Sequence, residues 1–129
     1  MDGKTGTSDG GSLDALQADL VGLSFCADRE VAWYVPVAHA VLEPQLTWDT
    51  VREALAPLIE SPDVGVTGQH LKYDLKVLAR HGVEVRGVDG DTLLADYLLS
   101  PDRRSHKLDE LALIHLEHRM ISYSDAVGS

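Results

Sequence analysis

The chain has 129 residues, of which 44% are hydrophobic and 25% charged, so it is long enough for one globular domain with a core. Its formal net charge of −10 opposes tight nucleic-acid binding by basic side chains alone, and a DNA contact would need bound divalent cations or a larger basic protein. The single cysteine, Cys26, excludes an internal disulfide. No apolar run reaches the ~20 residues of a membrane span and no signal peptide is apparent, so we expect a cytoplasmic protein without a membrane partner.

The N-terminal part of the chain predicts a polar leader followed by a β-hairpin. Residues 1–11 are rich in Gly, Ser, Thr and Asp, which indicates a flexible leader or tag, and residues 12–129 form a single predicted domain. Residues 20–27 alternate in polarity and residues 31–37 are rich in strand-forming types. The short polar connection between them predicts an antiparallel hairpin.

A helix is predicted after this hairpin. Thr47 is a plausible N-cap, and an apolar stripe runs from Val51 to Ile59. Pro57 lies inside the stripe and predicts a kink or an early end of the helix.

The segment 64–82 predicts a strand that leads directly into a second helix. Residues 64–67 are small or β-branched, Gly68 allows a turn, and a helical spacing of leucines begins at Leu71 and ends before Gly82. The first turn of this helix holds Lys72, Tyr73 and Asp74. One interpretation is that Asp74 only caps the helix, Tyr73 is half-buried and Lys72 is solvated. The other is that they form a site, because ligands gather at strand ends in α/β sheets.

The remainder of the chain predicts a short strand at 83–88 and two helices. The first helix starts at Asp91–Thr92 and ends before Pro101, and the second has Ser105 as its cap. Four acidic residues in this part are interpreted as helix caps or exposed side chains: Asp91, Asp96, Asp102 and Asp109. Together these elements predict an α/β domain with a mixed sheet.

Two weaker clusters occur near the C-terminus. The histidines His106, His115 and His118 have a spacing that could bind Zn²⁺, although solvated histidines are the simpler interpretation. The basic residues Arg103, Arg104 and Lys107 form a patch that either approaches a single DNA strand or is a solvated loop.

Four stretches of the sequence carry a resemblance to a known family. They are SLDALQADLVGLSF at 12–25, WYVPVAH at 33–39, GQHLKYDLKVLARHGVEVRG at 68–87 and DTLLADYLLSPDRRSHKLDELA at 91–112. In this order and spacing, they resemble the 3′–5′ exonuclease domain of bacterial family A DNA polymerases, the polymerase I type. The resemblance implies a ribonuclease H-like (DnaQ-like) fold, a mixed β-sheet flanked by α-helices.

The family's catalytic pattern is matched only in part. Its members resemble two-metal nucleases, in which carboxylates hold two Mg²⁺ or Mn²⁺ ions about 3.5–4 Å apart. The Asn-Leu-Lys-Tyr-Asp motif matches here as His70-Leu71-Lys72-Tyr73-Asp74, with His70 in place of Asn. Asp74 is therefore the implied metal ligand and catalytic acid, and Gln69, His70, Lys72 and Tyr73 are implied to contact the DNA strand.

The family's other two acidic motifs are degenerate or missing. The first, Asp-x-Glu, falls on Thr7-Ser8-Asp9, where only Asp9 is a weak candidate metal ligand. The third, Tyr-x-x-x-Asp, is expected beyond this chain, since Tyr123 and Asp125 are two residues apart rather than four. We therefore expect a fold without a regular first strand or the last helix, Mg²⁺ or Mn²⁺ as cofactor only if activity remains, no nuclease activity above background and weak binding to single-stranded DNA.

Three functional hypotheses follow. The first is a 3′–5′ exonuclease domain that binds a DNA 3′ end and is incomplete or inactive as this chain. The second is a vestigial, non-catalytic fold that packs against the rest of a polymerase or another partner. The third is a fragment of a longer gene without a separate role.

A structural hypothesis concerns the position of the missing first strand. In the resembled fold it lies between the hairpin and the strand at 64–67, and an empty position would leave backbone groups unpaired at about 1–3 kcal/mol each. We expect residues 3–10 to fill the position. Direct pairing of the flanking strands, or strand donation in a dimer instead of a monomer, are the alternatives.

Overall fold

The computed structural model describes residues 14–128, and its first element is the antiparallel hairpin that the sequence predicted. Strand β1 (Gly22–Cys26) pairs with β2 (Ala32–Pro36). Pro36 is the last residue of β2, as expected for a residue that has no N–H to donate to a ladder.

Helix α1 (Trp48–Ile59) follows the hairpin. Thr47 is its N-cap, as predicted, and the Thr47 hydroxyl accepts a hydrogen bond from the backbone N–H of Thr50 at 3.3 Å. The helix continues two residues beyond Pro57, which therefore falls in its last turn.

A strand–helix–strand unit forms the centre of the chain. Strand β3 (Val66–Gly68), helix α2 (Leu71–Arg80) and strand β4 (Val88–Asp91) follow one another, and β3 pairs with β4 in parallel. The connection into β4 passes close to the turn before β3. The approach is so close that a Cβ atom on Gly87 would overlap the backbone carbonyl of Val64. Glycine at this position allows the two segments to approach.

The predicted strand at 83–88 is wrong, since the ladder begins only at Val88. Val83 is 1% exposed and its N–H donates to the carbonyl of Leu78 at 2.9 Å. The N–H of Glu84 donates to a side-chain oxygen of Glu60 at 3.0 Å. These residues close the end of α2 instead of extending the sheet, and their alternation in polarity reflects packing against the core.

Three helices complete the described chain: α3 (Thr92–Leu99), α4 (Leu108–Leu116) and α5 (Tyr123–Val127). The sequence did not predict α5. Ser105 is not the cap of α4, because Lys107 occupies the N-cap position. The Ser105 hydroxyl instead accepts from the N–H of Lys107 at 3.4 Å, which forms a local turn before the helix.

One core joins the segment before β1 to α1 and α2. Its buried residues are Ala15, Ala18, Leu20, Leu23, Val51, Ile59, Val77, Leu78 and Val83. His81 connects the same elements through polar contacts. The indole N–H of Trp48 donates to the His81 carbonyl at 2.9 Å, and the N–H of Leu20 donates to His81 Nε2 at 3.4 Å. The core therefore fixes α2, which carries the candidate site.

The mixed α/β class is confirmed, but the described strands form two separate two-stranded sheets, β1–β2 and β3–β4. Within residues 14–128 the hairpin does not pair directly with β3, so that alternative is not observed. Residues 3–10, which we expected to lie between them, are outside the described residues. None of the helices at 14–128 has the length and apolar character required to cross a membrane.

Candidate nucleic-acid site

A cleft of about 480 Å³ lies beside the first turn of α2. Its walls come from the β3–α2 junction, the start of α4 and the segment before α5. The lining residues are Gln69, His70, Tyr73, Asp74, Leu108, Asp109, Met120, Ile121, Ser122 and Tyr123. The fold thus brings together four residues that the sequence proposed for one site, namely Gln69, His70, Tyr73 and Asp74.

Asp74 is a buried carboxylate at this cleft. It is the fourth residue of α2 and only 7% exposed. The interpretation of Asp74 as a helix cap is wrong, because the N-cap position belongs to His70. Burial of a carboxylate is costly unless polar contacts compensate for the lost hydration. The burial of Asp74 is therefore not what is expected of a solvated acid at a helix end.

His70 and Tyr73 form a stacked pair at the edge of the cleft. Their ring centroids are 6.3 Å apart and the ring planes differ by 22°. His70 is exposed and Tyr73 is half-buried. Flat rings in this arrangement provide surfaces on which nucleic-acid bases can stack.

The backbone of His70 is in the left-handed region, with φ of 57° and ψ of 45°. This conformation costs most residues roughly 1–2 kcal/mol, whereas Gly adopts it freely and Asn more readily than most. The family resembled by this sequence usually has Asn at this position. The left-handed start of α2 gives that choice a physical reason.

We expect His70→Gly to raise the free energy of unfolding by about 0.5–1 kcal/mol, since glycine removes the left-handed strain. Lys72→Gly is the matched control, because Lys72 is exposed in the same turn but has helical geometry. The control should lower the stability by about 0.5–1 kcal/mol. Urea denaturation measures both, and two changes of the same sign would contradict the argument.

Asp91 holds the start of α2 in place from the neighbouring strand. Its carboxylate accepts from the N–H groups of His70 at 3.1 Å and Leu71 at 2.7 Å. The carboxylate also accepts from the N–H of Leu93 at 2.9 Å, so Asp91 is the N-cap of α3, as the sequence predicted. Since His70 makes no side-chain cap bond, Asp91 supplies the cap of α2 as well.

The pKa of Asp91 reflects these contacts. Partial burial by itself would raise the pKa of Asp91, but hydrogen bonds from four backbone N–H groups outweigh it and lower the pKa below the ordinary value of 3.8. The donors are Leu71, His70, Leu93 and Leu94. The carboxylate is therefore charged at neutral pH, as a shared cap for two helix N-termini should be.

One predicted site residue, Lys72, does not line the cleft. Lys72 lines a separate apolar groove with Lys76, on another face of α2. Asp9, the weak candidate for a second metal ligand, lies outside the described residues. The role of Lys72 in contacting the DNA strand stays a prediction, and its side chain lies outside the cleft.

Sequence reasoning missed Asp109 and Tyr123 as members of the cleft. The sequence predicts Asp109 as a helix cap or an exposed side chain; it is exposed, and it also lines the cleft. Tyr123 enters through α5, for which the sequence does hold a signal. Ser122 and Asp125 have the spacing of a capping box, and the Ser122 hydroxyl accepts from the N–H of Asp125 at 3.1 Å.

The C-terminal histidines do not form a zinc site. Within the described range 14–128, no group of three His, Cys, Asp or Glu side chains is arranged so that it could hold a metal ion. His106 and His115 instead face Asp96. The interpretation of His106 as solvated is also wrong, because its side chain is only 11% exposed.

Asp96 and Arg103 also differ from their predicted roles. Asp96 is 5% exposed, so it is not an exposed helical residue. Arg103 pairs with it at 3.1 Å and is withdrawn from the predicted basic patch. Arg104 and Lys107 remain exposed.

The cleft supplies two carboxylates to a potential metal, Asp74 and Asp109. A two-ion centre of the kind expected from the sequence requires more carboxylate ligands than these. The described residues therefore do not fit such a centre, although they do offer stacking surfaces, an amide and a buried acid in one cleft.

Comparisons with known proteins agree with the sequence resemblance. A family described as 3′–5′ exonuclease, in the family A DNA polymerases, matches residues 10–128. DNA polymerase I of Pseudomonas aeruginosa is 43% identical over 121 residues, covering 91% of this chain and 13% of that protein. DNA polymerase I of Synechocystis is 36% identical over 118 residues, covering 88% of this chain and 12% of that protein.

A solved structure is also similar. The POL domain of Pol1 from M. smegmatis, in complex with DNA primer-template and dNTP, matches with a TM-score of 0.68 and 30% identity. The match covers 84% of this chain and 18% of that one. This chain thus spans a small fraction of the length of the polymerases that it resembles.

Proposed function

The chain belongs to the 3′–5′ exonuclease family of bacterial DNA polymerase I, and we propose that its cleft binds the 3′ end of a single DNA strand. The observation that carries this proposal is the convergence of Gln69, His70, Tyr73 and Asp74 on one cleft. The sequence predicts the same four residues for one site.

The chemistry of the cleft suits a terminal nucleotide. The stacked rings of His70 and Tyr73 give a flat surface for a base, and such stacking contributes about 1–3 kcal/mol per base. Gln69 has a side-chain amide that can donate and accept hydrogen bonds. The apolar side chains of Leu108 and Ile121 complete the wall.

The acidic character of the chain limits the affinity for DNA. With a net charge of −10, we expect a dissociation constant of about 10⁻⁴ M or weaker at physiological salt. We propose that Asp74 binds Mg²⁺ or Mn²⁺ only in the DNA-bound state, where the cation would offset the repulsion between carboxylate and phosphate. No hydrolytic step is assigned to the described residues.

Tyr73→Ala should weaken binding to a single-stranded oligonucleotide by roughly tenfold, because it removes the half-buried ring on which a base would stack. Fluorescence anisotropy at low salt measures the dissociation constant. Tyr34→Ala is the matched control, since Tyr34 lies on the hairpin and does not line the cleft. Equal effects of the two substitutions, or no binding by the unsubstituted chain, would refute the proposed cleft.

A non-catalytic interaction module is the second candidate. It is favoured by apolar side chains that the described structure leaves exposed on α3 and α4, including Leu98 at 81%, Leu99 at 81% and Leu116 at 74%. Two measurements separate the interaction module from an enzyme. Catalysis would be established if the chain releases nucleotides from a 3′-labelled strand with Mg²⁺ or Mn²⁺ and Asp74→Ala abolishes the release. Binding of a partner in the absence of DNA would support the module.

A further inference from the structure

A buried carboxylate on α3 organises the loop that leads into α4. Asp96 accepts hydrogen bonds from Arg103 Nη1 at 3.1 Å and His106 Nδ1 at 2.5 Å, and His115 Nε2 approaches it at 3.5 Å. The bond from His106 is the main cause that lowers the pKa of Asp96, against the opposing effect of burial. The contacts with His115 and Arg103 lower the pKa further, so the carboxylate stays charged.

The ring of His106 depends on this carboxylate for its position. Within residues 14–128, His106 Nε2 is buried and has no hydrogen-bond partner. The ring also lies against Tyr97, with ring centroids 5.1 Å apart and ring planes at 65°. Removal of Asp96 would therefore leave a buried imidazole without its polar partner. Because an unsatisfied buried polar group is unfavourable, we expect the loop that carries His106 to shift.

The backbone of His106 reaches the cleft. Its carbonyl oxygen accepts a hydrogen bond from the side-chain Nε2 of Gln69 at 2.9 Å. This contact holds the Gln69 amide against the wall of the cleft. In the part of the chain that the structure describes, the second N–H and the amide oxygen of Gln69 have no hydrogen-bond partner and can contact a ligand.

We propose that Asp96 is a positioning residue of the cleft, which fixes His106 so that the His106 carbonyl holds Gln69 ready to contact DNA. Asp96 does not line the cleft itself and acts only through these two residues. The DNA part of this inference rests on the proposed function. The coupling of Asp96 to Gln69 does not.

Nuclear magnetic resonance tests the coupling directly in the 129-residue chain. In Asp96→Ala, the side-chain amide protons of Gln69 should exchange with solvent at least about threefold faster, since their acceptor is no longer fixed. Gln45 is an internal reference, because its side-chain amide donates to the carbonyl of His39 at 2.8 Å, in another part of the chain. Asp102→Ala is the matched variant, with the same change of charge at an exposed position of the same loop.

A double-mutant cycle tests the consequence for DNA. Asp96→Ala should weaken oligonucleotide binding about fivefold, because an unanchored Gln69 loses side-chain freedom on binding. In the Gln69→Ala background, the same substitution should have no further effect. Equal weakening in both backgrounds would overturn the route through Gln69.

The outcomes separate this inference from the proposed function. If the unsubstituted chain binds no DNA, the proposed function fails while the exchange measurement still decides the coupling. If Asp96→Ala does not fold, Asp96→Leu keeps a side chain of similar size but removes both acceptor oxygens. Faster Gln69 exchange in Asp96→Leu supports the inference, and unchanged Gln69 exchange in a folded variant overturns it.

Discussion

Asp91→Ala should lower the free energy of unfolding by about 1–4 kcal/mol, because one side chain caps the N-termini of two helices. Its carboxylate accepts from His70 and Leu71 at the start of α2 and from Leu93 in α3. A single N-cap typically contributes about 0.5–2 kcal/mol, and the alanine variant loses both. The start of α2 would also lose its alignment, so DNA binding should weaken.

Urea denaturation followed by circular dichroism measures this effect. Asp89→Ala is the matched control, since Asp89 is exposed in the same strand and the charge change is identical. The control should remain within about 0.5 kcal/mol of the unsubstituted chain. A loss as small as that of the control would show that Asp91 does not support both helices.

The effect of Asp91→Ala should depend on pH. The pKa of Asp91 is lowered in the folded chain, so its contribution to stability is present above the ordinary value of 3.8. That contribution is lost as the pH falls below 3.8 and through the lowered pKa of the folded state. The difference between the unsubstituted chain and Asp91→Ala should therefore be smaller at pH 3 than at pH 7.

Leu78→Ala should lower the free energy of unfolding by about 2–5 kcal/mol, the range for a buried leucine replaced by alanine. Leu78 is 2% exposed on α2 and belongs to the core that joins α1, α2 and the segment before β1. The cavity left by the substitution would loosen α2, so Tyr73 and Asp74 should also lose their fixed positions.

Leu98→Ala is the control for this substitution. Leu98 is 81% exposed on α3, and its truncation should change the stability by no more than about 0.5 kcal/mol. Denaturation curves for the two variants give the comparison. Similar losses would mean that α2 is not fixed by the core in the way described.

The sequence predicted local structure well where a strong local signal exists. The Thr47 cap, the hairpin and the strand-to-helix segment that carries Tyr73 and Asp74 were all predicted from short stretches. Each depends on interactions between neighbouring residues, such as a hydroxyl that accepts from the N–H three positions later. The family resemblance rested on the same short stretches and is confirmed by the comparisons.

The sequence predictions were wrong where contacts between residues far apart in the chain decide the local structure. Residues 83–88 alternate in polarity like a strand, but the N–H groups of Val83 and Glu84 bond to Leu78 and Glu60. In the sequence, Asp96 has the pattern of an exposed helical acid. In the fold, Arg103 and His106 pair with its carboxylate. Periodicity along a chain contains no information on which loop will return to cover a given side chain.

The sequence by itself therefore determined the α/β class, the family and the four residues that converge on the cleft. Only the tertiary structure decided that Asp91 caps two helices, that Lys72 lies on another face, and that Asp109 and Tyr123 join the cleft. The physical reason is that helix capping, burial and cleft formation depend on contacts between segments far apart in sequence. The link from Asp96 through His106 to Gln69 joins residues up to 37 positions apart in sequence, and it forms only when the fold places the loop before α4 beside the start of α2.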